Sequence, residues 1–280
     1  MSKLLRILCS FVLSVLLISG SCLSAHVESS TDGLHVYFLD VGQGDAAVII
    51  CDGEAMMIDG GDSKHSSYIY SFLRNTLELE EIKIMIASHP HADHVGGLAA
   101  ALNACTVGVL YSPVIEYDTK TWQSVIKYAD AQGTPILIPE PGEELVLGNA
   151  MVTILGPLWY SSNMNDLSLI VKITYGNTSF LFTGDAEWDE EHDLIEAGID
   201  VSADVLKVSH HGSDTSTNYV FLREVSPSHT VISVGKENQY GHPTLTVLSR
   251  LEDAGTIIYR TDLAGTIESY SDGGTITFIP

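Results

Sequence analysis

The sequence feature that most constrains this chain is the stretch Ser88-His89-Pro90-His91-Ala92-Asp93-His94. It places three histidines and one carboxylate within six residues, directly after the apolar run 82–87, which predicts a buried strand. A buried strand has no room for unpaired polar groups, so the cluster is expected in a loop at the end of that strand. Residues 95–102 then have a helix-forming composition. The sequence therefore predicts a strand, a polar loop and a helix in direct succession.

The spacing of these side chains is typical of a site for two metal ions. His89 and His91 stand two apart in an extended loop, so they can point the same way and share one metal. Asp93 and His94 begin the next helix and can reach a second metal about 4 Å away. The alternative is a polar loop with chance histidines. It is disfavoured because four ligand-type side chains stand together between a strand and a helix.

Other ligand-type side chains also follow apolar strands. Asp185 follows the apolar run 179–182, where an unpaired carboxylate would be costly. A position between two metals would satisfy this carboxylate, and a helix cap is the alternative. His210 and His211 also follow an apolar strand, and one of them could bind metal or donate to a substrate oxygen. The alternative is that one histidine forms a structural cap and the other is solvated. His242 lies in a Gly-His-Pro turn, where a structural role and a ligand role are equally consistent with the sequence.

Composition limits the class of partner. The chain has 280 residues with 45% hydrophobic content, which is ample for a core, and a formal net charge of −23. Such a charge opposes non-specific binding to polyanions. A nucleic-acid substrate would have to be held by metal ions and local contacts, so no stable nucleic-acid complex is expected.

Residues 1–25 have the composition of a secretory signal peptide. Lys3 and Arg6 form a basic start, residues 7–18 are mostly apolar, and small residues follow. The alternatives are a retained N-terminal anchor and a lipoprotein cleavage site at Cys22. We expect residues 26–33 to be a linker and the mature protein to lack a transmembrane domain. It would be secreted or lie at the extracellular cell surface.

Two of the four cysteines lie outside this leader, Cys51 and Cys105, each in or beside an apolar segment. Buried free thiols are the simplest expectation, and one disulfide is the alternative in an oxidising compartment. The cysteines do not form a metal site.

Residues 34–280 alternate short strands with helices and contain no linker, so we predict a single domain. A hairpin is expected at Asp52-Gly53 and a helix over residues 121–132. The order predicts two antiparallel, strand-rich halves, each with a polar loop, and with helices between strands. Two face-to-face sheets with helices on their outer faces would bury this pattern, which gives an α/β (α+β) fold.

The chain resembles the metallo-β-lactamase fold superfamily of metal-dependent hydrolases over residues 34–280. Within it, the chain is most similar to the C-terminal hydrolase domain of the bacterial competence protein ComEC. The motifs that carry the resemblance are LDVGQGD (39–45), IDGG (58–61), SHPHADHVGG (88–97), NDLSL (165–169), FTGD (182–185), LKVSHHGS (206–213) and YGHP (240–243). Their number and order make the resemblance specific.

The resemblance implies a four-layer αββα sandwich with the site on one edge and two divalent metal ions, Zn²⁺ or Mn²⁺. Carried over by position, the resemblance implies that His89 and His91 bind the first metal. It implies that the second is bound by Asp93, His94 and His242. Asp185 would bridge the two metals, and Asp59 would orient a ligand histidine.

One position departs from many superfamily members, which have a third histidine for the first metal. Asn165-Asp166 stands there. Either Asn165 or Asp166 substitutes as an oxygen ligand, or His210 completes the first metal's ligands. Oxygen ligands would shift the preference towards Mn²⁺.

The expected chemistry is attack of a two-metal-activated water on a phosphorus or carbonyl centre. Asp93 and Asp185 would hold the metals and orient the water, and His210 or His211 would stabilise the oxyanion or protonate the leaving group. Phosphodiester hydrolysis is the leading hypothesis, with DNA or a smaller phosphodiester such as a phosphorylcholine ester as substrate. A β-lactamase activity is disfavoured by Asn165-Asp166. A non-catalytic binding module at the cell surface is disfavoured because both halves of the metal set are present.

Overall fold

Two β-sheets lie face to face in the computed structural model, which describes residues 33–279. The first sheet has eight strands, in the order Ile276–Ile279 (β15), Ile267–Ser271 (β14), Leu34–Phe38 (β1), Ala46–Cys51 (β2), Glu54–Gly60 (β3), Glu81–Ile86 (β4), Thr106–Tyr111 (β5) and Ile136–Leu137 (β6). The second has seven, in the order Ile257–Arg260 (β13), His229–Ile232 (β12), Val205–Lys207 (β11), Thr178–Phe182 (β10), Ile170–Tyr175 (β9), Ala150–Gly156 (β8) and Glu144–Leu147 (β7).

Helices cover the outer face of each sheet. The α-helices are Ser66–Ser71 (α1), Ala92–Val95 (α2), Leu98–Ala104 (α3), Lys120–Gln132 (α4), Trp188–Glu196 (α5), Tyr219–Val225 (α6), Leu245–Asp253 (α7) and Thr261–Ala264 (α8). A π-helical turn, Phe72–Thr76, follows α1, and 3₁₀ turns occur at Ser63–His65, Asn165–Leu167 and Ser209–Gly212. The helix expected over residues 121–132 is therefore α4, and the hairpin expected at Asp52-Gly53 joins β2 to β3.

Buried apolar side chains form three layers that hold these elements together. Ile58 of β3 and Phe180 of β10 belong to the cluster between the sheets. Trp122 of α4 is fully buried against the outer face of the first sheet. Phe221 of α6 is equally buried against the second. The predicted four-layer αββα sandwich is confirmed.

The strand pairing corrects one expectation, because the two halves are not antiparallel throughout. Strands β3 to β6 are parallel to one another, as are β10 to β13. Helices connect most of these strands, and a helical crossover brings the chain back in the same direction. Parallel strands end at one edge of their sheet, so the polar loops that follow them are brought together.

The end of the chain closes the first sheet. Strand β14 pairs antiparallel with β1, with Leu34 opposite Ser271 and Phe38 opposite Ile267. Of the last three strands, β13 therefore extends the second sheet, and β14 and β15 extend the first.

The leader expected over residues 1–25, and all but the last residue of the linker over 26–33, lie outside the described residues. Within residues 33–279, no helix is both long and apolar enough to span a membrane. Cys51 and Cys105 are buried free thiols in separate apolar clusters.

Candidate metal centre

The polar loop after β4 folds against the loop between β1 and β2. His91 precedes the first turn of α2, and Asp93 and His94 lie within that turn. The amide of Asp45 donates to the carbonyl of Asp93 over 3.1 Å. Gly44, with φ +151°, lies so close that a Cβ there would collide with the same carbonyl. This contact holds Asp93 and Asp45 side by side at the edge of the first sheet.

Asp59, at the end of β3, fixes the orientation of His94. Its Oδ2 lies 2.9 Å from His94 Nδ1, and its Oδ1 accepts the amide of Ser88 over 2.7 Å. A carboxylate at Nδ1 keeps the imidazole proton there and leaves the Nε2 lone pair facing the site. This arrangement is the one expected of a residue that orients a metal-binding histidine.

The buried carboxylate of Asp185 lies among four imidazoles. Its Oδ1 is 3.1 Å from His94 Nε2 and 3.6 Å from His211 Nε2. Its Oδ2 is 3.9 Å from His89 Nε2 and 3.7 Å from His210 Nε2. Each oxygen thus faces a different pair of ring nitrogens, as a carboxylate shared by two cations would.

Three of these buried atoms make no hydrogen bond within the described chain: His94 Nε2, Asp185 Oδ1 and His211 Nε2. Buried polar atoms are ordinarily paired, because an unpaired one costs about 1–3 kcal/mol. Donor atoms of Asp93, His94 and His211, and also of His89, His94 and Asp185, lie within 4.8 Å of one another. Nitrogen and carboxylate donors at this spacing fit divalent metal ions.

His89 and His91 adjoin the Oδ2 side of Asp185. His89 Nε2 lies 3.0 Å from His91 Nδ1, so both nitrogens can face one cation. The hydroxyl groups of Ser88 and Ser168 lie 3.1 Å and 3.4 Å from His89 Nδ1 and hold its ring from behind. The structure therefore brings together the two side chains predicted to share the first metal.

The backbone of His210 and His211 is left-handed at both residues, with φ values of 49° and 55°. Such values are rare outside glycine and persist where surrounding contacts enforce them. The amide of His210 donates to the carbonyl of Gly184 over 3.0 Å, which ties this turn to the loop that carries Asp185. The strained turn directs both imidazoles towards Asp185.

Asp45 and Lys207 are site residues to which the sequence analysis assigned no role. His211 Nδ1 lies 3.0 Å from the Ser233 carbonyl and 3.1 Å from Asp45 Oδ1. Asp45 in turn pairs with Lys207 Nζ at 2.6 Å, and both side chains are buried. A lysine inside the apolar strand β11 was the available signal, because a buried ammonium requires a carboxylate partner.

The charges of the site stabilise cations at its centre. Burial disfavours a charged imidazole, but the carboxylates of Asp185 and Asp45 outweigh it and raise the pKa of His211 to about 10. Burial likewise opposes ionisation of Asp45, but Lys207 and His211 lower the pKa of its carboxyl to about 2. A site that binds protons this strongly offers the same carboxylates to a metal ion.

The site shifts the pKa values of His94 and His89 in opposite directions. His94 is also buried, but Asp185 and Asp59 raise its pKa well above the ordinary value. In His89, burial and the neighbouring His94 lower the pKa well below it. His89 therefore stays neutral, with a ring nitrogen available to a metal.

His242 lies beside the site, and its role as a metal ligand, which the resemblance implied, stays a prediction. His211 Nε2 lies 3.5 Å from Asp93 Oδ2. His242 belongs to none of the donor clusters found in residues 33–279, and its ring centroid lies 5.8 Å from that of His210. The side chain of Asn238 binds the backbone N–H and carbonyl of His242 in a separate loop.

Asn165 and Asp166 differ in the hydrogen bonds that their side-chain oxygens accept. Both oxygens of Asp166 already accept hydrogen bonds, from the Glu187 amide at 3.0 Å and Asn163 Nδ2 at 2.9 Å. Asn165 Nδ2 donates to Glu187 over 3.2 Å, and its Oδ1 is buried without a hydrogen bond. Of the candidates for completing the first metal's ligands, His210 and Asn165 therefore have a side-chain atom with no hydrogen bond, whereas each oxygen of Asp166 accepts one.

Comparison with known proteins identifies the family to which this chain is similar. The family model of the Metallo-beta-lactamase superfamily matches residues 39–236. The chain is 28% identical to ComE operon protein 3 of Bacillus subtilis, covering 88% of this chain and 33% of that protein. It is 29% identical to Recombination protein 2 of Haemophilus influenzae, and that match covers 82% of this chain and 28% of that protein.

The chain thus spans about a third of the length of these curated relatives. Among solved structures, the metallo-beta-lactamase fold protein YhfI from Bacillus subtilis superposes with a TM-score of 0.53 at 12% identity, covering 89% of this chain and 100% of that one. That likeness concerns the fold. The predicted resemblance to ComEC-like proteins is confirmed by the relatives.

Proposed function

Because the chain belongs to the metallo-beta-lactamase superfamily, whose members are typically metal-dependent hydrolases, we propose that it hydrolyses phosphodiester bonds with two divalent metal ions. The observation that carries the proposal is Asp185, whose two oxygens face separate pairs of imidazole nitrogens in a buried site.

The side chains divide between two cations, Zn²⁺ or Mn²⁺. His89, His91 and Asp185 Oδ2 would hold the first. The second would be held by Asp93, His94, His211 and Asp185 Oδ1. When bound, such cations lower the pKa of water and neutralise the charge that develops on phosphate oxygens.

Two residues at the mouth of the site would move protons. The Asp93 side chain is 35% exposed, so its carboxylate is placed to orient the attacking water and take its proton. His210 is 22% exposed, and its Nδ1 lies 3.2 Å from Glu187 Oε1. With Nδ1 turned towards Glu187, His210 Nε2 faces the site and would donate to the leaving oxygen. His211, whose Nε2 faces Asp93 and Asp185, holds a metal and does not act on the substrate.

DNA is the substrate class that we propose. Support comes from the relatives, which are named as competence and recombination proteins. A buried site that concentrates carboxylates and imidazoles also matches metal-dependent attack on a phosphodiester.

The test is hydrolysis by the metal-stripped mature protein with Zn²⁺ or Mn²⁺ restored separately. The substrates are bis-p-nitrophenyl phosphate, single-stranded DNA and nitrocefin, and Asp185→Asn is the inactive variant. We expect metal-dependent cleavage of both phosphodiesters, no nitrocefin turnover, and at least a hundredfold loss in Asp185→Asn, which keeps the shape of the side chain but removes its charge.

Glu252→Gln, an exposed carboxylate of α7, is the matched control and should retain full activity. Nitrocefin turnover alone would replace the proposal with a β-lactamase. Metal binding without hydrolysis of any substrate would favour a binding module.

We also propose that the protein acts outside the cytoplasm, on the strength of the signal-like residues 1–25. N-terminal sequencing of the protein recovered from the producing cell's medium and envelope tests this. A chain retained in the cytoplasm with Met1 intact would contradict it.

A further inference from the structure

A groove of about 730 Å³ opens beside Asp93. Lys64, His65, Lys236 and Tyr240 are among the residues that line this groove. Since Asp93 belongs to the candidate metal centre, a molecule lying in the groove would have one end at the metals.

The floor of the groove is a rigid junction between two loops. Gln43 Oε1 accepts the amide of Gly235 over 3.1 Å, and a Cβ at Gly235 would lie 2.6 Å from the Gln43 nitrogen. Asn238 Nδ2 donates to the carbonyls of Gly235 and His242 over 3.0 Å and 2.6 Å. These contacts tie the loop that carries Lys236 and Tyr240 to the loop that carries Gln43.

The two lysines are free to bind an external anion. Both are exposed, and neither has an ion pair within residues 33–279, although the chain carries a net charge of −23. The groove also contains Asp40 and Asp62, but each has one oxygen bound to a nearby backbone amide, of Gly42 and Lys64 respectively. Flexible ammonium groups at a metal site's mouth suit phosphates that adjoin the reacting one.

Tyr240 supplies an aromatic surface in the same groove. Its side chain is 59% exposed, and its ring stacks on His242 with centroids 5.7 Å apart and planes inclined by 26°. A ring held in place by another ring, with its outer face open, is a platform for a nucleobase.

A second cleft beside the site has acidic side chains and no basic ones among its lining residues. This cleft of about 560 Å³ is lined by Asp166, Glu187, Asp189 and Asp214. A phosphate chain would be repelled there by four carboxylates, whereas Lys64 and Lys236 offset part of the charge of Asp40, Asp62 and Asp93 in the groove, so the groove is the favoured side.

We propose that this groove binds the nucleotides flanking the scissile phosphate of a single-stranded nucleic acid, with Lys64 and Lys236 on phosphates and Tyr240 stacked on a base. The inference rests on the proposed phosphodiesterase function and adds the side of the site on which the strand lies. It makes Lys64, Lys236 and Tyr240 positioning residues for a strand, whereas a substrate with one phosphate leaves the groove empty.

The experiment compares the metal-loaded protein with Lys64→Gln/Lys236→Gln on single-stranded DNA and on bis-p-nitrophenyl phosphate. The double variant should raise KM for DNA about tenfold, with a much smaller change in kcat or in KM for the small substrate. The slope of log KM against log salt should fall by about 1.4, which corresponds to two phosphate contacts on a single strand. Lys120→Gln/Lys127→Gln removes the same charge from two exposed positions of α4 and should leave the slope and KM unchanged.

Tyr240 gives an independent test. Tyr240→Ala should raise KM for DNA about fivefold, whereas Tyr240→Phe, which keeps the ring, should restore it. The proposed groove would be overturned if both lysine double variants changed KM for DNA equally, or if Lys64→Gln/Lys236→Gln changed KM equally for DNA and for bis-p-nitrophenyl phosphate. The phosphodiesterase function would stand in either case.

Binding of a short phosphorothioate oligothymidylate, followed by fluorescence anisotropy, separates the two proposals further. Lysine-dependent binding without hydrolysis of any phosphodiester would support the groove and overturn the proposed function. Binding that Lys64→Gln/Lys236→Gln does not weaken would overturn the groove.

Discussion

Lys207 and Asp45 set the position of His211 although neither faces the site's opening. The 2.6 Å ion pair between them is buried, and Asp45 Oδ1 lies 3.1 Å from His211 Nδ1. A carboxylate behind a metal-binding histidine fixes the ring and its protonated nitrogen. Lys207 supplies the positive charge that allows this carboxylate to remain ionised away from water.

This pair can be tested by two single variants and their combination. Lys207→Met should lower the metal-free protein's free energy of unfolding by about 3–5 kcal/mol, because it leaves Asp45 buried without its cation. Asp45→Asn/Lys207→Met should recover most of that loss but bind metal 10–100-fold more weakly. Urea unfolding and metal titration measure the two effects. A double variant no more stable than Lys207→Met would show that the pair is not energetically coupled.

At the scale of the element, the turn Ser209–Gly212 stores backbone strain next to the site. His210 has φ 49° and ψ 44°, a conformation that glycine adopts at little cost. We expect His210→Gly to be more stable than His210→Ala by about 1 kcal/mol, although both lack the imidazole and should lose activity.

Urea unfolding of both variants in chelator measures this difference. The control is Lys127, an exposed residue in the right-handed α4 helix. There the order should reverse, with Lys127→Ala more stable than Lys127→Gly by about 1 kcal/mol. Equal stability of the two His210 variants would contradict the proposed strain.

Helix α5 carries a buried carboxyl that makes stability depend on pH. Burial raises the pKa of Glu191 from 4.5 to about 8, against the opposing effect of hydrogen bonds from Thr217 and Asn218. Between pH 4.5 and pH 8 the unfolded chain releases this proton while the folded chain keeps it. The stabilisation is therefore complete below pH 4.5 and is lost as the pH rises to about 8.

The measurement is the free energy of unfolding of the wild type and Glu191→Gln from pH 5 to pH 8. The difference between them should change by up to about 1.4 kcal/mol per pH unit, in the direction of a less stable wild type at higher pH. For Glu252→Gln, at an exposed position of α7, the difference in free energy of unfolding from the wild type should stay constant over this pH range. A constant difference between wild type and Glu191→Gln would show that Glu191 is ionised throughout.

At the scale of the whole molecule, the metal centre joins the two sheets. His89 and His94 follow β4 of the first sheet, whereas Asp185 and His211 follow β10 and β11 of the second. Any cation held by residues of both groups would therefore oppose separation of the sheets. Stability should depend on metal concentration.

Chelation should lower the melting temperature of the protein by roughly 10 °C, for a metal present at about a thousand times its dissociation constant. Differential scanning calorimetry with and without chelator measures the shift, and restored Zn²⁺ or Mn²⁺ should reverse it. In Asp185→Asn the shift should be much smaller. Equal melting temperatures with and without metal would exclude coupling between the site and the fold.

Much of this organisation could be predicted from local sequence, because it depends on neighbours along the chain. The hairpin at Asp52-Gly53 and helix α4 follow from turn chemistry and periodicity. The histidines at 89, 91 and 94 share a loop because a buried strand must end before polar side chains begin. The position of Asp59 behind His94 was inferred from family resemblance and not from spacing, since 35 residues separate the two.

The sequence by itself determined the layers of the fold and the ligand-type loops, since hydrophobic periodicity and strand-end polarity are local properties. Only the tertiary structure decided which loops meet. It brought His211 beside Asp93, put Lys207 under Asp45, and made β4 and β11, which lead to Asp93 and His211, parallel to their neighbours. The reason is that such contacts depend on strand order and on the direction of a kinked turn, and both are settled by burial across the two sheets, not by residues adjacent in the chain.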